Sequence, residues 1–151
     1  MISLMRQISV TYRCALLYRE QELDGTGLTG YQTPYLLALY REPGLTQEEL
    51  ARRMDVNKST ITRQLAMLEE KGYIYRMSDE NDRRMLRVYP TERAVALRPR
   101  LMEVLARWSD YLMGDLKEDE RETLLRLMMR VADRAETYVK ELCGTKGGSR
   151  A

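Results

Sequence analysis

The chain has no histidine and no phenylalanine, and only two cysteines among its 151 residues. Each shortage excludes something. Without histidine there is no Ser-His-Asp or Cys-His nucleophile pair, no histidine-based zinc centre and little scope for general acid–base catalysis. Cys14 and Cys143 stand at opposite ends without partner spacing, which argues against a disulfide framework. The glycines at 25, 27 and 30 do not follow a strand, so they form no phosphate-binding loop. No run approaches the length of a membrane span, and the opening MISLMRQISVTYRC lacks a signal-peptide core, so the expected compartment is the cytoplasm, with no membrane partner. No enzyme, cofactor or metal is expected.

Strong net charge is absent too. At +2 the whole molecule favours no class of partner, and any case for nucleic acid rests on local placement of Arg and Lys. What is present is a composition of 44% apolar and 32% charged residues, that of a helix-rich globular protein with a length suited to one domain and an extension.

Apolar residues recur at helical spacing from Ile2 to about Leu23, and DGTGLTG stops that helix. A second helix begins near Pro34 and closes at Pro43–Gly44. Thr46 with Glu49 three positions on is a capping box and opens a short third helix. After DVN, Asn57 is a good N-cap for a longer helix, KSTITRQLAMLEEKG, ended by Gly72. A short helix, a tight turn and a longer helix make helix-turn-helix geometry.

The longer helix separates its faces. Ile61, Leu65 and Leu68 share the apolar one; Ser59, Arg63, Ala66 and Glu70, flanked by Thr60 and Thr62, share the other. Small hydroxyls let a helix approach base edges, and Lys58 and Arg63 can reach phosphate or guanine. Residues 52–63 hold four basic side chains against Asp55, a local +3. A solvated helix face is the competing reading. Beyond Gly72, YIYRM and MLRVY favour strands around a polar loop, SDENDRRM, and such a hairpin after a recognition helix is a wing. Asp79 and Glu80 suit turn chemistry, and an arginine at the tip suits an adjacent minor groove.

Thr91 caps a long helix with Pro99 inside it, where a kink or restart is expected. A last helix carries two apolar stripes, one through Leu124, Met128, Val131, Ala135, Tyr138 and Leu142, the other through Leu125, Ala132 and Val139. Such breadth exceeds what a small winged domain covers; intramolecular core is the competing reading, and the favoured one is a dimer interface, since DNA half-sites one helical turn apart need a two-fold protein. The expected organisation is an N-terminal dimerisation helix and loop over 1–30, a winged DNA-binding region over 31–92, dimerisation helices over 93–143 and a disordered tail over 144–151.

In this order of elements the chain resembles the MarR family of bacterial transcription regulators. The segments that carry the likeness are GLTGYQTPYLLAL, LTQEELARRMDVNKSTITRQLAMLEEKGYI and DENDRRMLRVYPTERA, the last with a D-x-R wing signature at Asp82-Arg83-Arg84. The departures are Pro90, where Leu is usual, and Ala94, where Gly is common. The resemblance implies a mainly α fold with a small β-hairpin wing, working as a homodimeric repressor or activator on double-stranded, roughly palindromic operator DNA. It puts Ser59, Thr60, Thr62 and Arg63 in the major groove, beside Asn57 and Lys58, and Arg84 in the minor groove. Arg83 becomes a phosphate contact and Asp82 a brace for the tip.

The resemblance also implies release by a small aromatic effector in a crevice between dimer helices and winged domain, for which Tyr12, Tyr31, Tyr35, Trp108 and Tyr111 are candidates. Plain aromatic packing is the alternative for each of them. A family branch senses oxidants through a cysteine in the first helix, a part open to Cys14, although a lone thiol is more often buried and structural. A winged-helix protein-interaction adaptor is the rival from another class.

Overall fold

The computed structural model describes residues 3–146, and the chain divides into two compact units, Met1–Ser109 and Asp110–Ala151. The first unit opens with helix α1 (Leu4–Glu22), which turns Ala15 and Leu16 inward, and Leu23 closes it into the core. The following loop presses against α1 at Gly30, where a Cβ atom would stand 2.8 Å from the Leu16 carbonyl oxygen. Only glycine permits that approach. Helix α2 (Thr33–Arg41) has Pro34 in its first turn, where a missing N–H costs no helical bond.

Strand β1 (Leu45–Thr46) leads into helix α3 (Gln47–Arg53) through the capping box. The Thr46 hydroxyl accepts from the Glu49 N–H at 3.2 Å, and the Glu49 carboxylate accepts from the Thr46 N–H at 2.7 Å. Those bonds hold the Glu49 carboxyl below its usual range, the backbone bond contributing most. Helix α3 ends with Asp55 in the left-handed region at φ 49°, a conformation that Asp tolerates better than most residues. The Val56 N–H then reaches the Ala51 carbonyl at 3.1 Å, which turns the chain sharply toward helix α4 (Lys58–Glu70). Gly72, at φ +74°, ends α4 in the same way.

Strands β2 (Ile74–Ser78) and β3 (Leu86–Pro90) form the hairpin, and β1 adds to its other side to give an antiparallel sheet in the order β1-β3-β2. Leu45 lies opposite Val88, and Ile74 opposite Pro90. Pro90 therefore sits at the last ladder position, where a missing donor does least harm. Strand β1 is not foreseen from sequence because two residues show no alternation.

The core under this sheet joins Leu36 and Leu39 of α2, Leu50 of α3, and Ile61, Leu65 and Leu68 of α4 to Ile74, Val88 and Leu101. Burying each such side chain contributes about 1.5–3 kcal/mol, enough for these few contacts to fix how α3 and α4 lie together. Tyr73 is also buried; its hydroxyl donates to the Thr26 carbonyl at 2.7 Å, and Arg93 stacks over its ring at 4.5 Å. This pairing ties the loop after α1 to the chain entering the wing.

Helix α5 (Glu92–Leu112) runs without interruption through Pro99, so the restart expected there does not occur. One lost backbone bond is outweighed by anchoring on both sides, with Ala94, Leu101 and Val104 buried. In the second unit helix α6 (Glu118–Lys146) has its start fixed by the Lys117 N–H on the Glu120 carboxylate at 2.8 Å. The helix continues past Gly144, which corrects the expected start of a disordered tail. A single glycine costs a helix only about 1 kcal/mol. The rest of that tail, residues 147–151, and the side chain of Cys143 lie outside the described residues. The stripe of α6 is exposed: Leu124, Leu125, Met128, Tyr138, Val139 and Leu142 all stand open in the protomer. Among the described residues no helix is long and apolar enough to cross a membrane.

Candidate nucleic-acid interface

Helix α4 buries Ile61, Leu65 and Leu68, and that choice decides which side chains face outward. Asn57, Lys58, Ser59, Thr62 and Arg63 are exposed, while Thr60 is half-buried. The Asn57 carboxamide oxygen accepts from the Thr60 N–H and the Ser59 hydroxyl, both at 2.8 Å, so Asn57 organises the helix start with its side-chain oxygen already engaged. Thr62 donates to the Lys58 carbonyl and accepts from Gln47, each at 2.7 Å. Gln47 thereby joins α3 to the exposed face of α4. The sequence reading missed it because the two residues lie fifteen apart.

The local charge is smaller than the count suggests. Arg53 pairs with Glu42, which leaves Arg52, Lys58 and Arg63 as the cations of this region. Among the described residues no carboxylate pairs with any of those three. A face of hydroxyls and unpaired cations on a rigid helix can donate to phosphate oxygens and to base edges.

The wing is built around a carboxylate that sequence reasoning assigned to turn chemistry alone. Asp79 is 9% exposed, and its carboxylate accepts from the Asn81 N–H at 2.8 Å, from the Asp82 N–H at 3.3 Å, and from Arg87. Arg87 also donates to the Gly44 carbonyl at 2.8 Å. The Arg87 contact, followed by the Asn81 N–H, holds the Asp79 carboxyl below its usual range. Asp82 accepts from the Arg84 N–H at 3.0 Å, so it fixes the backbone of the arginine pair without pairing with either guanidinium. The larger brace is Asp79 with Arg87. Arg83 and Arg84 are exposed, and no carboxylate among the described residues pairs with them.

Of the five aromatic candidates for an effector crevice, three come together. Tyr12, Tyr31 and Tyr35 line a cavity of about 390 Å³ whose floor includes Pro34, Met54 and Val56, and α4 supplies Thr60, Arg63 and Gln64. Tyr12 and Tyr31 meet edge to face, with ring centroids 6.4 Å apart. Trp108 and Tyr111 do not line it. Trp108 stacks on Tyr18 at 4.8 Å, a partner that helical periodicity gave no reason to choose, and Tyr111 is 80% exposed. Cys14 is exposed on α1, not buried as a lone structural thiol commonly is. It falls on the side of α1 away from Ala15 and Leu16.

The family model for MarR matches residues 28–86, which run from the loop after α1 to the first residue of β3. Over 144 residues the chain is 28% identical to the HTH-type transcriptional regulator YybA of Bacillus subtilis (strain 168), covering 93% of this chain and 96% of that protein. A crystal structure of MarR is similar at 37% identity and a TM-score of 0.77, covering 89% of this chain and 98% of that one. In fold the chain also matches a MarR family transcriptional regulator from Listeria monocytogenes complexed with 26mer DNA. There the TM-score is 0.85 at 22% identity, over 100% of this chain and 99% of that one.

Proposed function

The chain belongs to the MarR family of transcriptional regulators, and from that premise we propose that it represses transcription as a homodimer bound to a pseudo-palindromic, double-stranded operator. The observation that carries this reading is the exposed face of α4, where Ser59, Thr62 and Arg63 stand free of the core beside Lys58. The wing supports it, since Arg83 and Arg84 are held out by a loop fixed at Asp79 and Asp82. In this reading Arg63 and the hydroxyls read base edges in the major groove. Arg84 enters the neighbouring minor groove, and Arg83 and Lys58 hold phosphates.

Two copies are required because one α4 spans only a half-site, and symmetric half-sites call for a two-fold protein. The exposed apolar stripe of α6 supplies a surface for that association. The crevice at Tyr12, Tyr31 and Tyr35 supports release by a small aromatic ligand. A protein-interaction adaptor has no use for the hydroxyl face and the wing arginines together.

The test is selection of bound DNA from a random pool by the purified protein. The expected result is an inverted repeat with half-sites about one helical turn apart. Recovery of no preferred sequence would overturn the reading. With the selected site in hand, Arg84→Ala is expected to weaken binding several-fold while the dimer persists in sedimentation. Unchanged affinity would remove the wing from the interface.

A further inference from the structure

Gln47 of α3 and Thr62 of α4 meet on the outer face of the helix-turn-helix, and their hydrogen bonds leave a chemistry of one sense. Thr62 has a single hydroxyl hydrogen, and it goes to the Lys58 carbonyl at 2.7 Å. The Thr62 oxygen therefore meets Gln47 as an acceptor, and the Gln47 carboxamide turns its NH₂ toward it, at 2.7 Å. With its hydrogen committed and one lone pair taken, Thr62 keeps one lone pair and has nothing left to donate. The Gln47 side-chain oxygen has no protein partner among the described residues, and one N–H remains on the same carboxamide. The capping box of Thr46 and Glu49 fixes the backbone that carries Gln47, and the buried Leu50 and Ile61 join α3 to α4 beneath. Ser59 and Ala66, one turn to either side of Thr62, are exposed and small, which leaves room for a base edge. In the major groove the hydrogen-bond donors are the amino groups of adenine and cytosine alone, and phosphate oxygens only accept. A pair that presents acceptor oxygens thus answers to amino groups. Adenine alone has an acceptor, N7, beside its amino group, and that atom suits the remaining N–H of Gln47.

We propose that Gln47 is a specificity-determining residue of the operator complex, its carboxamide held by Thr62 and gripping N6 and N7 of one adenine in each half-site. The residue lies outside the helix that carries Ser59, Thr60 and Arg63, so α3 adds one base pair to what α4 reads. The two helices then divide the chemistry. Arg63 only donates and answers to guanine or phosphate, whereas the Gln47–Thr62 pair answers to an amino group. The proposal rests on the DNA-binding reading above.

The experiment uses the full chain and the site it selects from a random DNA pool, with affinity measured by anisotropy against every single-base change. Wild type is expected to require adenine at one position of each half-site and to bind the other bases there about fivefold or more weakly. Gln47→Ala is expected to erase the preference at that position and keep it at all others. Thr62→Val keeps the shape without the hydroxyl and is expected to erode the same preference, with the double variant losing no more than Gln47→Ala alone. Replacing that adenine by 7-deazaadenine or by purine removes N7 or the amino group. Each is expected to weaken wild type and to leave Gln47→Ala unaffected, and the wild-type measurement stands even if a variant fails to fold. A uniform loss across bases in Gln47→Ala would make the residue a phosphate contact or a support for α4, and would overturn the proposal. Indifference of wild type to both modified bases would overturn it too. A protein that selects no DNA sinks the DNA-binding reading and this proposal with it, whereas a selected site whose base profile ignores Gln47 sinks the proposal alone.

Discussion

Arg87 of β3 pairs with Asp79 at the base of the wing loop while its other nitrogen donates to the Gly44 carbonyl beside β1. One guanidinium thus fastens both neighbours of the central strand, and the loop bearing Arg83 and Arg84 hangs from it. Asp79→Asn keeps the backbone contacts at Asn81 and Asp82 but removes the charge that holds Arg87. The expected outcome is a several-fold loss of DNA affinity with the state of association and overall helicity unchanged. Anisotropy titration alongside circular dichroism checks this, and full affinity in the variant would mean that the wing does not depend on the brace.

Acid should loosen the same region. Asp79 and Glu49 both have carboxyl pKa values below their ordinary ones, Asp79 chiefly through Arg87 and Glu49 chiefly through the Thr46 N–H. In such a case the unfolded chain binds protons more readily than the folded one. The stabilisation is complete above the ordinary carboxylate range, about pH 4, and is lost as pH falls through the lower folded values. Denaturant midpoints measured from pH 6 to pH 3 should fall, and fall less steeply for Asp79→Asn with Glu49→Gln. Parallel curves for variant and wild type would count against these two groups as the source.

Leu65 is fully buried at the centre of α4 and joins helix-turn-helix to sheet. Leu65→Ala should lower stability by about 2–5 kcal/mol, the usual cost of a large-to-small change with its residual cavity. Chemical denaturation reads it directly, and a loss below about 1 kcal/mol would mean that the site collapses around the gap.

Arg63→Ala separates base reading from phosphate holding. If Arg63 grips a base edge, the variant loses about 1–3 kcal/mol at one base pair and tolerates substitutions there. Measuring wild type and variant against single-base changes in the selected site distinguishes this from a uniform loss, which would assign Arg63 to the backbone.

Much of the frame was legible because its signals are local. The capping box at Thr46 and Glu49, the N-cap at Asn57, the glycine stop at Gly72 and the split faces of α4 each depend on residues within four positions of one another. The contacts that escaped the sequence are those between distant residues. Gln47 with Thr62, Arg87 with Asp79 and Gly44, and Tyr73 with Thr26 are set by how elements pack, and no periodicity marks them. The aromatic candidates divide for the same reason: Tyr12, Tyr31 and Tyr35 converge on one cavity, while Trp108 stacks on Tyr18. At Pro99 the helix does not restart, since buried neighbours on either side keep α5 continuous.

The open stripe of α6 carries a last prediction. Met128→Glu puts a charge on a residue already 42% exposed in the protomer, so the helix itself should tolerate it. Sedimentation is expected to show a shift toward monomer and operator binding to weaken with it; an unchanged dimer would place the interface elsewhere.

If association is what covers that stripe, dilution becomes a denaturant. The folded fraction then depends on the number of copies present as well as on temperature or acid, because every separated protomer returns apolar surface to water. A cell that lets this protein grow scarce would lose more regulator than the shortfall in synthesis, and the switch between bound and free operator would steepen with abundance.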